Sequence, residues 1–159
     1  MTTTGYMFES GPIHLAQSYD ATGVNWLDGI TAGRIMAILT NTSPVGHYSD
    51  WAHYNDVAGE LGSSGGYTVG GLTVTSGTLG MITDTDRYLK FGAANLVWPA
   101  AFTAGPYQYI VILKNTGAAA TSPLICYHDL GVAQTGLGGA FEYDFTALGG
   151  VFRQKVPHA

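Results

Sequence analysis

The chain has 159 residues, 46% of them hydrophobic and only 11% charged, with a formal net charge of −5. That length suits one domain with its own core. A charged fraction well below the usual ~25% excludes a disordered, self-repelling chain. The six basic residues, Arg34, Arg87, Lys90, Lys114, Arg153 and Lys155, are scattered, which excludes the clustered basic face that nucleic acid demands.

No run reaches the ~18 apolar residues of a membrane span, and Met1-Thr-Thr-Thr-Gly-Tyr6 lacks the basic start and apolar middle of a signal peptide. So few charges coat a free surface poorly. Interface cores are depleted in charge, so part of this surface is expected to be covered by a partner.

Residues 1–30 carry Phe8, Ile13, Leu15, Trp26 and Leu27 without a sustained period, broken by glycines. They read as an N-terminal arm or irregular segment with room for one short strand. Residues 31–159 read as the folded domain. Arg-Ile-Met-Ala-Ile-Leu-Thr (34–40) is a buried strand by composition, and Pro44, which lacks a ladder donor, follows it. In residues 47–61, Trp51, Tyr54, Val57 and Leu61 recur at spacings of three and four, which suits one or two helical turns. Residues 62–66 are a glycine-serine loop. Residues 67–75 read as a strand bent at Gly70 and Gly71, where glycine marks a bulge or a close backbone approach.

Further strands are expected at 79–83, 88–91 and 95–98, with a turn at Asp84-Thr-Asp86. Tyr-Gln-Tyr-Ile-Val-Ile-Leu-Lys (107–114), with five of its eight residues β-branched or aromatic, is the strongest strand signal in the chain. Asn115-Thr-Gly117 turns it, and residues 124–130 are its expected antiparallel partner. In residues 140–145, Phe141, Tyr143 and Phe145 alternate with Glu142 and Asp144, the pattern of a half-exposed strand. A last strand contains Val151 and Phe152. About eight short strands separated by glycine-rich turns predict an all-β, single-domain antiparallel β-sandwich, jelly-roll-like.

Chemistry is sparsely signalled. His47, Asp50 and His53 have ligand types and spacing that suit zinc, but no third histidine sits at a matching position. Asp84 and Asp86 lack the closing glutamate of a calcium loop. Glu9, Glu60 and Glu142 show no opposed carboxyl pair of the glycosidase kind. The glycine pairs lack the strand–loop–helix setting and the lysine of a phosphate cradle. The single cysteine, Cys126, lies in an apolar run and reads as a small buried hydrophobe. The expectation is a protein without catalysis, metal or cofactor. Its ten Tyr and three Trp serve core and interface.

Residues 110–131, Ile-Val-Ile-Leu-Lys-Asn-Thr-Gly-Ala-Ala-Ala-Thr-Ser-Pro-Leu-Ile-Cys-Tyr-His-Asp-Leu-Gly, resemble a segment of small structural proteins of tailed bacteriophages. Ile-Met-Ala-Ile-Leu-Thr (35–40), Val-Ala-Gly-Glu (57–60), Gly-Tyr-Thr-Val-Gly-Gly-Leu (66–72), Trp98-Pro99 and the strand from Phe141 to Phe145 follow the same order, so the likeness spans residues 33–153. It departs over the first 30 residues and in the aromatic-rich stretch 47–53.

The resemblance implies a virion structural protein, made in the host cytoplasm and placed on the capsid exterior. In that role it is a homo-oligomeric capsid decoration (cement) protein bridging major capsid protein subunits; a tail, baseplate or fibre component touching host glycans is the alternative. On that reading the expected protein contacts are Tyr6, Phe8 and Ile13 in the arm and Trp51 and Tyr54 in the aromatic stretch, because these large side chains lie outside clear strands.

Overall fold

The computed structural model describes residues 4–7, 32–47, 49–83, 87–145 and 150–155. Among them the chain is all-β: ten strands, two single turns of 3-10 helix, and antiparallel pairing throughout. The strands are β1 (Thr4–Met7), β2 (Ile35–Thr40), β3 (Leu72–Thr73), β4 (Thr78–Thr83), β5 (Arg87–Gly92), β6 (Leu96–Trp98), β7 (Tyr107–Lys114), β8 (Leu124–Gln134), β9 (Phe141–Tyr143) and β10 (Phe152–Lys155). They form a five-stranded sheet in the order β1-β8-β7-β2-β3, a three-stranded sheet β10-β5-β4 and a two-stranded sheet β6-β9. No helix among the described residues is long and apolar enough to cross a membrane.

The central sheet is built on the strongest sequence signals. β7 pairs with β2 from Ile35↔Lys114 to Thr40↔Tyr109, and with β8 on its other side. Both faces of this sheet are buried, which is why β2 and β7 read as nearly continuous apolar runs. Alternate side chains of β7 serve two cores. Ile110 and Ile112 join the larger one, with Ile35, Leu39, Trp98 and Phe102. Tyr109, Val111 and Leu113 join the smaller one, with Ile38, Leu124 and Tyr127. The pairing passes from Ile112↔Cys126 to Leu113↔Leu124, so β8 carries one extra residue there. That irregularity turns both Ile125 and Cys126 toward the larger core.

The segment 47–61 forms a turn and one 3-10 turn (Tyr54–Asp56), in keeping with the one or two helical turns that its spacing suits. Its job is to cover the second face of the central sheet: Trp51 is 6% exposed within the smaller core, and Tyr54 and Val57 pack against it. Glu60 fastens the segment. Its carboxylate accepts hydrogen bonds from the Tyr54 hydroxyl (2.5 Å), the Tyr67 hydroxyl (2.7 Å) and the Gly70 amide (2.7 Å).

The strand expected over 67–75 is reduced to Leu72–Thr73, because residues 68–71 make a turn closed by Gly71 N–H donating to the Thr68 carbonyl. Gly71 has φ +72°, and a Cβ there would collide with the Ala37 carbonyl of β2. The close approach expected of this glycine pair is thus present, as a turn and not as a bend inside a strand.

In the segment expected as an arm, β1 pairs with β8 through Thr4↔Asp129 and Met7↔Cys126. Phe8, Ile13 and the turn at 84–86 lie outside the described residues.

Candidate functional site

A concavity lies on the larger-core side, between the strand pair β6–β9 and the loop 135–140. It begins with four rings that the register brings together. Trp98 of β6 faces Phe141 of β9 across the ladder, and their rings stack with centroids 5.2 Å apart. Phe102, fully buried, packs against Phe141 (5.9 Å) and edge-on to Tyr107 (5.8 Å). Tyr107 reaches Phe141 at 5.1 Å. Each ring face is thereby largely spent on another ring.

The loop over these rings is held by backbone hydrogen bonds. Ala101 N–H donates to the Gly138 carbonyl, Phe102 N–H to Gly139, Gly138 N–H to Phe102, and Gly136 N–H to Ala104. Gly136 is obligatory, since a Cβ there would strike the carbonyl and ring of Phe102. With the backbone of 136–139 bonded inward, the side chain of Leu137 projects outward and is 97% exposed. The other large hydrophobic residues exposed among those described, Val45, Val69, Val97 and Val132, lie between 51% and 59%.

The result is a cleft of about 490 Å³. Phe102, Tyr107 and Leu130, themselves buried, lie beneath it; half-buried Phe141 and exposed Leu137 and Ala140 give it apolar surface, and Gln134, Glu142 and Asp144 contribute its polar atoms. Leu137 stands at its wall, and no Lys, Arg or His lines it. Glu142 accepts a hydrogen bond from the Asn95 side chain at 2.9 Å. Burial pushes the Tyr107 hydroxyl up to about 12, so it stays protonated. Glu142 and Asp144 are exposed, which is not the apolar setting that makes a carboxyl a general acid. This arrangement can hold an apolar group beside hydrogen-bond acceptors.

Behind the cleft lies His128 of β8, 1% exposed, its ring against Tyr143 (5.4 Å) and Phe145 (5.7 Å). Neither ring nitrogen makes a hydrogen bond of ordinary geometry among the described residues. Burial drives its pKa down to about 4, opposed in part by the backbone of Val151. Cys126 is fully buried in the larger core, and burial raises its thiol far above the ordinary range. It is the small buried hydrophobe that its apolar run suggested.

The residues singled out from the sequence are dispersed. His47 and Asp50 form one pair (3.8 Å), and His53 and Asp56 a second, half-buried one (3.9 Å). His47 stacks on Trp51 at 5.1 Å, and Asp56 accepts the Ala52 and His53 amides. No group of three metal-ligating side chains occurs among the described residues.

Of the expected protein contacts, Trp51 is a core residue and Tyr54 is half-buried with its hydroxyl on Glu60. These two face inward because the sheet has a second apolar face to cover. The backbone of Tyr6 pairs with Tyr127 in β1–β8. Sequence reasoning overlooked Leu137. Its signal was present: a lone leucine among the glycines of Gly136-Leu-Gly-Gly139, with no apolar residue two positions away on either side.

Comparison of the chain with family models, curated proteins and solved structures finds no match.

Proposed function

We propose that this chain is a structural protein of a tailed-phage virion, and within it a capsid decoration protein that bridges major capsid protein subunits from the outside of the shell. We also read its antiparallel sheets as a jelly-roll-like sandwich. The observation that carries the binding role is the cleft with Leu137 beside it, a leucine 97% exposed next to an apolar concavity of about 490 Å³. Covering that side chain together with the apolar part of the cleft takes apolar surface out of water. The low charged fraction, 11%, supports the same reading. A protein that binds only the assembled shell stabilises it by mass action, and repeated weak contacts add through avidity.

The test is a copy count in purified particles by quantitative mass spectrometry against the major capsid protein. A ratio of about one per capsid subunit, or a simple fraction of it, supports decoration. A few copies per particle moves the protein to the tail or neck, and absence from particles refutes the virion reading.

A tail, baseplate or fibre component touching glycans is the second reading, favoured by a cleft that combines aromatic residues with the acceptors Gln134, Glu142 and Asp144. The mutual packing of Trp98, Phe102, Tyr107 and Phe141 weighs against it, since it leaves little free ring face for a sugar to stack on.

A further inference from the structure

We propose that a second cleft, beside β4 and β5, binds a tetrahedral oxyanion of the phosphate type, with the Lys90 ammonium as its cation and the Ser76 and Thr78 hydroxyls as further donors. This cleft shares no lining residue with the one beside Leu137, and the inference does not depend on the virion reading.

The register builds the site. Side chains alternate along a strand, so Phe91 of β5 enters the larger core while Lys90 and Gly92 share the opposite face. Thr78 of β4 pairs with Gly92, and a Cβ on Gly92 would fall on the Thr78 hydroxyl oxygen. Glycine there keeps that hydroxyl in place, two residues from the lysine. Gly150 does the same for Lys90. Its φ is +126°, and a Cβ on it would come within 3.1 Å of both Cγ and Cε of the Lys90 stem. The stem therefore runs along bare backbone, half-buried, and leaves its charged end for the cleft.

The cleft measures about 290 Å³. Lys90, Ser76 and Thr78 bring its side-chain polar groups, and the remaining lining residues are glycine, alanine and Phe145. No Asp or Glu lines it, and Lys90 makes no ion pair among the described residues. Ser76 has φ +55°, in the left-handed region that non-glycine residues seldom occupy. Glycine would fit that conformation more easily; the serine supplies a hydroxyl instead.

β10 adds a further cation, because Arg153 pairs with Lys90 across the ladder. Like charges at directly opposed positions cost free energy, and an anion held near them offsets that cost. In a chain of net charge −5 with six basic residues, the register thus creates a local reversal of sign that the sequence order conceals. An ammonium and two hydroxyls, from separate backbone positions, outnumber the two oxygens of a carboxylate and suit the several acceptors of a phosphate. The cleft has room for the free ion and for a phosphate group carried on a larger molecule.

Amide NMR titration of the full chain with inorganic phosphate, at an ionic strength held constant with chloride, tests the proposal. The expected result is saturable shifts concentrated at residues 76–78, 90–94 and 150, with Kd of about 1 mM. Lys90→Gln is expected to weaken binding at least ~10-fold and Thr78→Val about 5-fold, whereas Thr78→Ser, which keeps the hydroxyl, preserves it. Phosphate also stabilises folded proteins by exclusion from their surface. The thermal readout is therefore a difference: phosphate raises the midpoint of the wild type more than that of Lys90→Gln. Should Lys90→Gln fail to fold, Thr78→Val carries the test, since Thr78 is exposed.

Glycerol phosphate distinguishes the sources. Binding at least as tight as that of the free ion supports a phosphate group borne on a larger molecule, and weaker binding supports free phosphate as the occupant. Shifts that do not saturate by ~50 mM phosphate overturn the proposal. So does acetate binding as tightly as phosphate, or a Kd unchanged by Lys90→Gln or by Thr78→Val.

Discussion

His128 makes the stability of this domain depend on pH in a way that can be worked out from its surroundings. The imidazole is 1% exposed, lies against Tyr143 and Phe145, and has no hydrogen bond of ordinary geometry to either nitrogen among the described residues. Burial lowers its pKa from 6.5 to about 4. Between those values the unfolded chain binds a proton that the folded chain refuses. Stability is therefore full above pH 6.5, falls as the pH drops toward 4, and ceases to fall on this account once the folded histidine is itself protonated. At ~1.4 kcal/mol per tenfold, the interval is worth about 3 kcal/mol, or roughly 10 °C in Tm for a domain of this size.

The assay is urea unfolding at a series of pH values from 7.5 to 3.5, run on the wild type and on His128→Leu. The substitution breaks no hydrogen bond of ordinary geometry and replaces a buried polar ring with an apolar group, so it is expected to be neutral or stabilising at pH 7. Carboxylates titrating near pH 4 affect both proteins, so the difference between the two curves isolates the histidine. Parallel curves would refute the reasoning, as would an imidazole that titrates near 6.5 by NMR.

Further expectations concern the packing around the sheets. Trp51→Ala removes a ring from the smaller core and is expected to cost ~3–5 kcal/mol in chemical denaturation; unchanged stability would return Trp51 to the surface. Glu60→Ala leaves the hydroxyls of Tyr54 and Tyr67 and the Gly70 amide without their acceptor. The expected loss is about 3 kcal/mol, with faster hydrogen exchange at Gly70 as the local readout. Gly71→Ala forces a Cβ onto the Ala37 carbonyl at φ +72° and is expected to destabilise by ~3 kcal/mol or more, whereas Gly139→Ala, where the same atom meets nothing, should stay within ~0.5 kcal/mol of the wild type. Cys126 is expected to react with a thiol reagent only as fast as the domain opens, so its labelling rate should rise steeply with urea.

How much of this was legible beforehand follows from what each pattern encodes. The apolar runs of β2, β7 and β8 were readable as strands, with β8 as the antiparallel partner of β7 and Cys126 inside, whereas the pairing of β2 on the other side of β7 was not. Alternation at 141–145 fixed which side chains share a face: Tyr143 and Phe145 are buried while Glu142 and Asp144 are exposed. The all-β class followed from strand count and turn chemistry, and the glycine pair at 70–71 announced a close backbone approach.

Alternation, however, does not say what covers a face. That the central sheet is buried on both sides was settled only by the return of residues 47–61 across it, which turned Trp51 from an expected contact into core and Tyr54 inward onto Glu60. The cleft depended on register, because Trp98 must meet Phe141 and Phe102 must wedge beneath them before a concavity exists. His128 illustrates the same limit. Its identity is local, but the absence of an ordinary hydrogen bond and its lowered pKa belong to β8, residues 143–145 and Val151 together. Leu137 is the converse case, a residue whose exposure follows from backbone bonds that direct its loop's polar groups inward and leave its side chain nowhere to go but out.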